Sequence, residues 1–167
     1  TSQSVWQPLP ALEQRLVTHP LVAGVVIERR LPGTLVVHVV ERVPVAMVQA
    51  DGMLRPVDVT GAMLPIDPLL VPLDVPVVAS KDSTLLQFLD GLRQEAPALF
   101  ARVSSAQRSN PDELRLLLGS MSVRTMADVT VSRFKDILPV EEDLARNHLR
   151  AVELDLRFRE QVIVRQP

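Results

Sequence analysis

Between Pro20 and Pro44 the chain reads PLVAGVVIERRLPGTLVVHVVERVP, and this stretch constrains the fold more than any other. Val25 and Ile27, and then Leu35, Val37 and Val39, recur at every second position. Each run is therefore predicted to lay one apolar face on a core as a β-strand. Pro32-Gly33 falls between the runs, where a fixed φ followed by a permissive φ suits a reversal, so the two runs read as a hairpin. Arg29, Arg30, Glu41 and Arg42 flank the strands and keep them soluble; opposite charges facing each other across such a pair add about 0.2–1 kcal/mol. Pro44 has no N–H to give to a ladder, so the second strand is expected to end or change sheets there.

Composition narrows what surrounds the hairpin. With 167 residues, 47% of them apolar, the chain can bury a real core in one or two small domains. A net charge of −2 and a pI near 5.9 provide no electrostatic basis for binding nucleic acid or an anionic membrane surface. The cations are sixteen arginines and two lysines, Lys81 and Lys135, spread without clustering. The absence of cysteine excludes disulfides, thiolate metal sites and cysteine nucleophiles, and fits either redox compartment. No run of eighteen apolar residues occurs, and Thr1 to Pro8 lacks a charged segment leading into an apolar one, so neither a membrane span nor a signal peptide is read. One tryptophan, Trp6, and four phenylalanines with no tyrosine describe a β-rich body built on Val and Leu.

Leu9, Leu12 and Leu16 mark an amphipathic helix over roughly Pro10 to Thr18, ahead of Pro20. After Pro44 short strands and tight turns are expected: Val45–Gln49, Asp51-Gly52, Leu54–Val57, Thr60-Gly61 and Met63–Ile66. Pro65 to Pro76 reads as an irregular connection. Leu85, Phe88, Leu89 and Leu92 place a helix capped by Asp82 or Ser83, with Gly91 as a weak point and Pro97 as its limit or kink. Arg102–Ser105, Leu114–Leu118 and Met121–Thr125 read as strands, the last two joined by Gly119-Ser120. Phe134, Ile137 and Leu138 begin a helix disturbed by Pro139 that continues through Leu144 and Leu149. Val152–Phe158 and Val162–Arg165 close the chain as strands around an Arg159-Glu160-Gln161 turn.

Three sets of residues together resemble the FtsQ/DivIB family of bacterial cell-division proteins. They are the hairpin pattern Pro20-x-Val22 to Glu41-Arg42-x-Pro44-Val45-Ala46, the turn Val57-Asp58-x-x-Gly61, and Leu154-Asp155-Leu156-Arg157-Phe158, where the family usually has tyrosine last. The Leu-Gly pair usual in the family near Thr125-Met126 is missing, so that turn is expected to differ. The resemblance implies an α+β fold. Residues 1–44 form a partial POTRA domain (a helix plus the hairpin, with the first strand and first helix absent), and residues 45–167 form a mixed domain with a mainly antiparallel sheet and two to three helices. It also implies a non-catalytic scaffold at the division septum. Such a scaffold is held on the extracytoplasmic side by one N-terminal transmembrane helix outside this chain, binds FtsB- and FtsL-like proteins and, through its POTRA part, further division proteins. A POTRA-containing component of protein transport or outer-membrane assembly is the alternative.

The residues offer little chemistry to set against that reading. His19, His38 and His148 show no i, i+4 pairing, no nearby acid at ligand spacing and no Gly-x-Ser-x-Gly elbow, so neither a metal site nor a catalytic serine is read. Glu141-Glu142-Asp143 points three ways around a helix and reads as a solvated face. The six glycines never group into a phosphate cradle. Catalytic, cofactor and metal residues are therefore none. A sheet edge remains: Val162, Ile163, Val164 and Arg165 form the final strand, with no later strand to cover it and main-chain groups able to pair with another chain. Protection of this edge by Arg165 and Pro167 is the competing expectation. By the resemblance, Phe158 stands where the family has a partner-contacting tyrosine, and Arg108 lies near an arginine that meets an acid of the partner. Arg157 has the simpler expectation of pairing with an acid inside the sheet.

Overall fold

The computed structural model describes residues 8–158 and 160–166. Two units divide the chain, residues 1–43 and 44–167. The expectations on Thr1 to Gln7, on Arg159 in the last turn and on Pro167 as an edge-blocker lie outside the described residues.

In the first unit α1 (Leu9–Val17) precedes the antiparallel strands β1 (Val22–Arg30) and β2 (Thr34–Glu41). The register pairs Val25 with Val39 and Ile27 with Val37, so the alternating apolar residues share a face as their spacing predicts. Ile27 is the buried member of this face, and its N–H donates to the Glu13 carboxylate on α1 at 2.9 Å. The reversal itself differs from expectation: the Leu31–Pro32 peptide is cis, and Gly33 takes no positive φ.

The second unit is built on an eight-stranded mixed sheet of order β10-β9-β8-β7-β6-β5-β3-β4. Its strands are β3 (Ala46–Ala50), β4 (Met53–Val57), β5 (Val77–Val78), β6 (Val103–Asn110), β7 (Glu113–Leu118), β8 (Met121–Met126), β9 (Glu153–Asp155) and β10 (Ile163–Arg165). Four neighbouring pairs are antiparallel; β3–β5, β5–β6 and β8–β9 are parallel. Asp51 and Gly52, both at positive φ, turn β3 into β4, as expected of Asp-Gly between alternating runs. The Val57-Asp58-x-x-Gly61 turn has a visible cause: the buried Asp58 carboxylate accepts the N–H groups of Thr60 (2.9 Å) and Ala62 (3.0 Å), and Gly61 sits at φ +78°.

One row of cross-strand neighbours, Val48, Val78, Ala106, Leu116, Val123, Leu154 and Val164, runs across seven strands on a single face. On it pack α2 (Ser83–Glu95), α3 (Pro97–Phe100), α4 (Val131–Phe134) and α5 (Ile137–Arg146), whose buried residues form one core with the row. Phe88 of α2 meets Phe134 of α4 edge-on at 5.3 Å. Asp82 caps α2 by accepting from the Leu85 N–H at 2.8 Å, and Thr130 caps α4.

Several local expectations change. Met63–Ile66 is not a strand; only Met63 forms a bridge, to Val57, and Pro65 has no N–H with which to extend a ladder. Pro139 does not disturb α5. It occupies the third helical position, where the N–H would have no intrahelical partner. Leu149 lies beyond that helix, which ends at Arg146, and His148 follows in a left-handed conformation. Pro97 begins α3 and does not merely stop α2. The strand expected over Val152–Phe158 is regular only from Glu153 to Asp155.

Candidate functional site: the β10 edge and the ionic lattice behind it

β10 is the terminal strand of the sheet. It pairs with β9 through Ile163–Asp155, Val164–Leu154 and Arg165–Glu153, and among the described residues no strand pairs with its other side. Val164 turns inward against the core and Val162 also packs there, while Ile163 and Arg165 stay exposed. Phe158 lies just after β9 with 43% of its surface exposed. Five of the six residues expected to bind a partner thus fall on one edge and the turn leading into it.

Arg108 does not join them. It stands on β6, four strands from β10 and so about 19 Å away at the usual strand spacing. Its guanidinium binds the Asp82 carboxylate at 2.6 and 3.0 Å and also the Pro111 carbonyl. The hydrogen bond from Arg108 holds Asp82 below the usual carboxylate range, so this pair ties β6 to the α2 cap.

The face of the sheet opposite the helices carries charges that brace the edge. Arg157 donates to Asp155 at 2.9 and 2.6 Å and to Glu113 at 2.9 Å; it pairs inside the sheet, as its simpler expectation had it. Arg124 donates to Glu113 at 2.8 Å. Glu153 lies among Arg165 (3.3 Å), Arg124 (3.8 Å) and Arg115 (3.9 Å). The lattice therefore spans β7, β8, β9 and β10. Burial pushes the Glu113 carboxyl up, but the Arg124 hydrogen bond and the charges of Arg124 and Arg157 outweigh it, and the net shift is downward. Asp155 is lowered chiefly by its hydrogen bonds from Arg157, against a smaller burial effect.

Arg133 on α4 is a further brace that sequence reasoning missed. Its guanidinium donates to the carbonyls of Phe158 and of Gln161, the latter at 3.0 Å, and pairs with Asp136. It thereby fixes both ends of the β9–β10 turn. No periodic pattern points to it. Glu113, Arg115 and Arg124 did carry a signal, since they alternate with Leu114, Leu116 and Val123 and so had to share the face away from the core.

The other candidate groups take structural places. His19 accepts the Leu21 N–H, and Glu141 is bound by Arg102 at 2.9 and 2.5 Å. Among the described residues no cluster of His, Asp and Glu suits a metal ion, and no helix is long and apolar enough to cross a membrane.

Comparison with known proteins assigns the family. A family model described as "POTRA domain, FtsQ-type" matches residues 2–42, and one described as "Cell division protein FtsQ/DivIB, C-terminal" matches residues 46–157. The cell division protein FtsQ of Zymomonas mobilis subsp. mobilis is 36% identical over 111 residues, which cover 64% of this chain and 35% of that protein. The chain thus spans about a third of the curated relative it matches. The major extracytoplasmic domain of DivIB from Geobacillus stearothermophilus superimposes at a TM-score of 0.40 with 20% identity, over 65% of this chain and 98% of that one. Since the C-terminal family model alone matches more than half of the sequence, the chain belongs to the FtsQ/DivIB family of cell-division proteins.

Proposed function

We propose that this chain is the extracytoplasmic part of a non-catalytic divisome scaffold, and that its β10 edge receives a strand from an FtsB-like partner accompanied by an FtsL-like one. In this reading residues 1–44 are a partial POTRA domain lacking its first strand and helix, available to further division proteins, and residues 45–167 are the partner-binding domain. One N-terminal transmembrane helix outside the chain anchors the whole protein at the septum, where docking helps control septal peptidoglycan synthesis. The observation that carries the proposal is the position of β10: a short terminal strand, unpaired on its outer side among the described residues, with Ile163 and Phe158 exposed beside it. Main-chain pairing supplies the affinity and alternate side chains the register. Ordering an incoming peptide costs part of the gain, so moderate affinity is expected. Arg108, already bound to Asp82, is not needed for this contact.

The test is a titration of isotope-labelled protein with the extracytoplasmic segment of the FtsB-like protein of the same genome, read by backbone amide shifts. Shifts are expected at Phe158 and from Val162 to Arg165. Ile163→Pro should weaken binding at least about tenfold, because Ile163 faces the same way as Arg165, whose carbonyl accepts the Val152 N–H, so proline removes a donor that seats β10 against β9 and unseats the docking strand. No shifts at saturating peptide, or shifts that Ile163→Pro leaves unchanged, overturn the proposal.

A further inference from the structure

At the other end of the same sheet the β4 edge carries a different surface. Met47, Met53, Leu54, Pro65, Ile66 and Pro68 line most of a groove of about 600 Å³, with Leu69 at its rim, a volume in the range of binding clefts. Beside it the chain projects an apolar tip. Leu69 is 93% exposed, Leu70 79%, and Val71 about half. The tip is a fixed turn: the Asp67 carboxylate accepts the Leu69 N–H at 2.9 Å, and the Asp67 carbonyl accepts from Leu70 (3.1 Å) and Val71 (3.0 Å). Pro68 and Pro72 restrict the backbone on both sides of it. A rigid apolar projection loses little entropy on being covered.

We infer that this edge is a self-docking surface, in which the Leu69-Leu70-Val71 tip of each chain enters the groove of a second copy. Four observations favour that occupant. Projection and recess lie side by side on one chain, so a two-fold axis satisfies both at once, as a self-complementary interface requires. The groove's two charged members, Arg55 and Asp67, are opposite in sign, so a second copy meets no net repulsion. Strand addition is restricted here, because Pro56 has no N–H and its carbonyl is already taken by the Leu64 N–H at 2.8 Å. Asp51, Asp67 and Asp74 outnumber Arg55 on this hairpin and loop, which disfavours an anionic lipid surface.

The size is adequate for weak association. Met53, Leu54 and the three tip residues are all exposed, and together they make a patch on the order of 600 Å², the upper end of what soluble monomers leave in water. Two copies joined through it bury roughly 1,200 Å², the lower bound of specific interfaces. The contact leaves β10 free, since β10 and β4 are opposite edges of the sheet.

Sedimentation equilibrium of the 167-residue chain from micromolar to millimolar concentration tests the inference. The weight-average mass is expected to rise toward that of a dimer. The Leu69→Asp/Leu70→Asp variant should weaken association at least about tenfold with unchanged circular dichroism and melting, Leu54→Asp in the groove should do the same, and Leu117→Asp on the open sheet face should not. A wild type that stays monomeric throughout overturns self-docking. So does association that the tip variant leaves intact. Cosedimentation of monomeric wild type with anionic vesicles, lost in the tip variant, overturns it in favour of lipid.

Discussion

The two edges of the eight-stranded sheet solve the same problem by opposite chemistry. At β4 the outer side is limited by backbone: Pro56 has no N–H, Leu64 occupies its carbonyl, and apolar side chains cover much of what is left. At β10 the main chain is not blocked by proline within the strand, and the strand is held from behind by ions. Arg165 reaches Glu153, which sits among Arg124 and Arg115, while Arg124 and Arg157 share Glu113. The difference shows what a three-residue edge strand needs. Three residues cannot stabilise themselves, so β10 draws its order from a lattice anchored two and three strands away, and from Arg133 clamping the turn that leads into it. The β4 hairpin needs no such lattice because its turn and its apolar contacts are local.

Removing the centre of the lattice breaks the comparison most forcibly. Glu113 is 5% exposed and is the shared acceptor of Arg124 and Arg157. Glu113→Ala leaves two partly buried guanidinium groups short of an anion, and loss of one partner from a buried pair costs about 3–5 kcal/mol. In a chain of this size the midpoint of thermal unfolding should fall by roughly 10 °C. Hydrogen exchange should quicken across β8, β9 and β10 more than across β3 and β4. An equal rise at both edges would mean that the lattice stabilises the whole sheet and not the β10 edge in particular.

Acid should act in the same direction with a smaller effect. Glu113 and Asp155 both have carboxyl groups held below their ordinary values in the folded state. The folded protein therefore binds fewer protons than the unfolded chain in that range, and stability rises with pH. Their contribution is present in full above the ordinary carboxylate range and is lost as pH falls through the depressed folded values. Exchange rates followed on stepping down from neutral pH should show β9 and β10 loosening before the β3–β4 hairpin. Retention of β10 protection at a pH where β3–β4 has already opened would break the comparison.

The parts of this architecture that can be read from sequence are those with local causes. Alternation placed β1, β2, β7 and β8, Asp51-Gly52 placed a turn, and Asp82 with Leu85, Phe88, Leu89 and Leu92 placed α2. The two-residue β5 carries no period at all, and its parallel pairing with Met47–Val48 on one side and Ser105–Ala106 on the other is decided by the core that Val78 enters. At the candidate site the last strand was legible because Val162, Ile163 and Val164 make a β-branched run after the Glu160-Gln161 turn. The braces behind it were not. Arg133 reaches back from 25 residues away to Phe158, and Arg157 meets Glu113 from 44 residues away. Such pairs depend on register between strands distant in sequence. Arg108 makes the same point: that it stands four strands from β10 and pairs with Asp82 follows from the strand order, which no local pattern carries.

The smallest perturbation tests the claim that the β4 edge is held locally. Gly52 sits at φ +76° in the β3–β4 turn, and a Cβ added there would meet nothing within 4 Å. Any cost of Gly52→Ala is therefore backbone strain alone, about 1 kcal/mol for an L-residue in the left-handed region. The strain acts at the tip of one hairpin whose five residue pairs, from Ala50–Met53 to Ala46–Val57, are closed by that turn. Exchange of the β3 and β4 amides should rise several-fold, with the unfolding midpoint lowered by only a few degrees. The amides of β9 and β10 should keep their protection, because nothing in the Glu113–Arg157–Asp155 lattice is built on the β3–β4 turn. If β10 loosened together with β4, the two edges would be one cooperative unit, and the local character assigned to the β4 hairpin would be wrong.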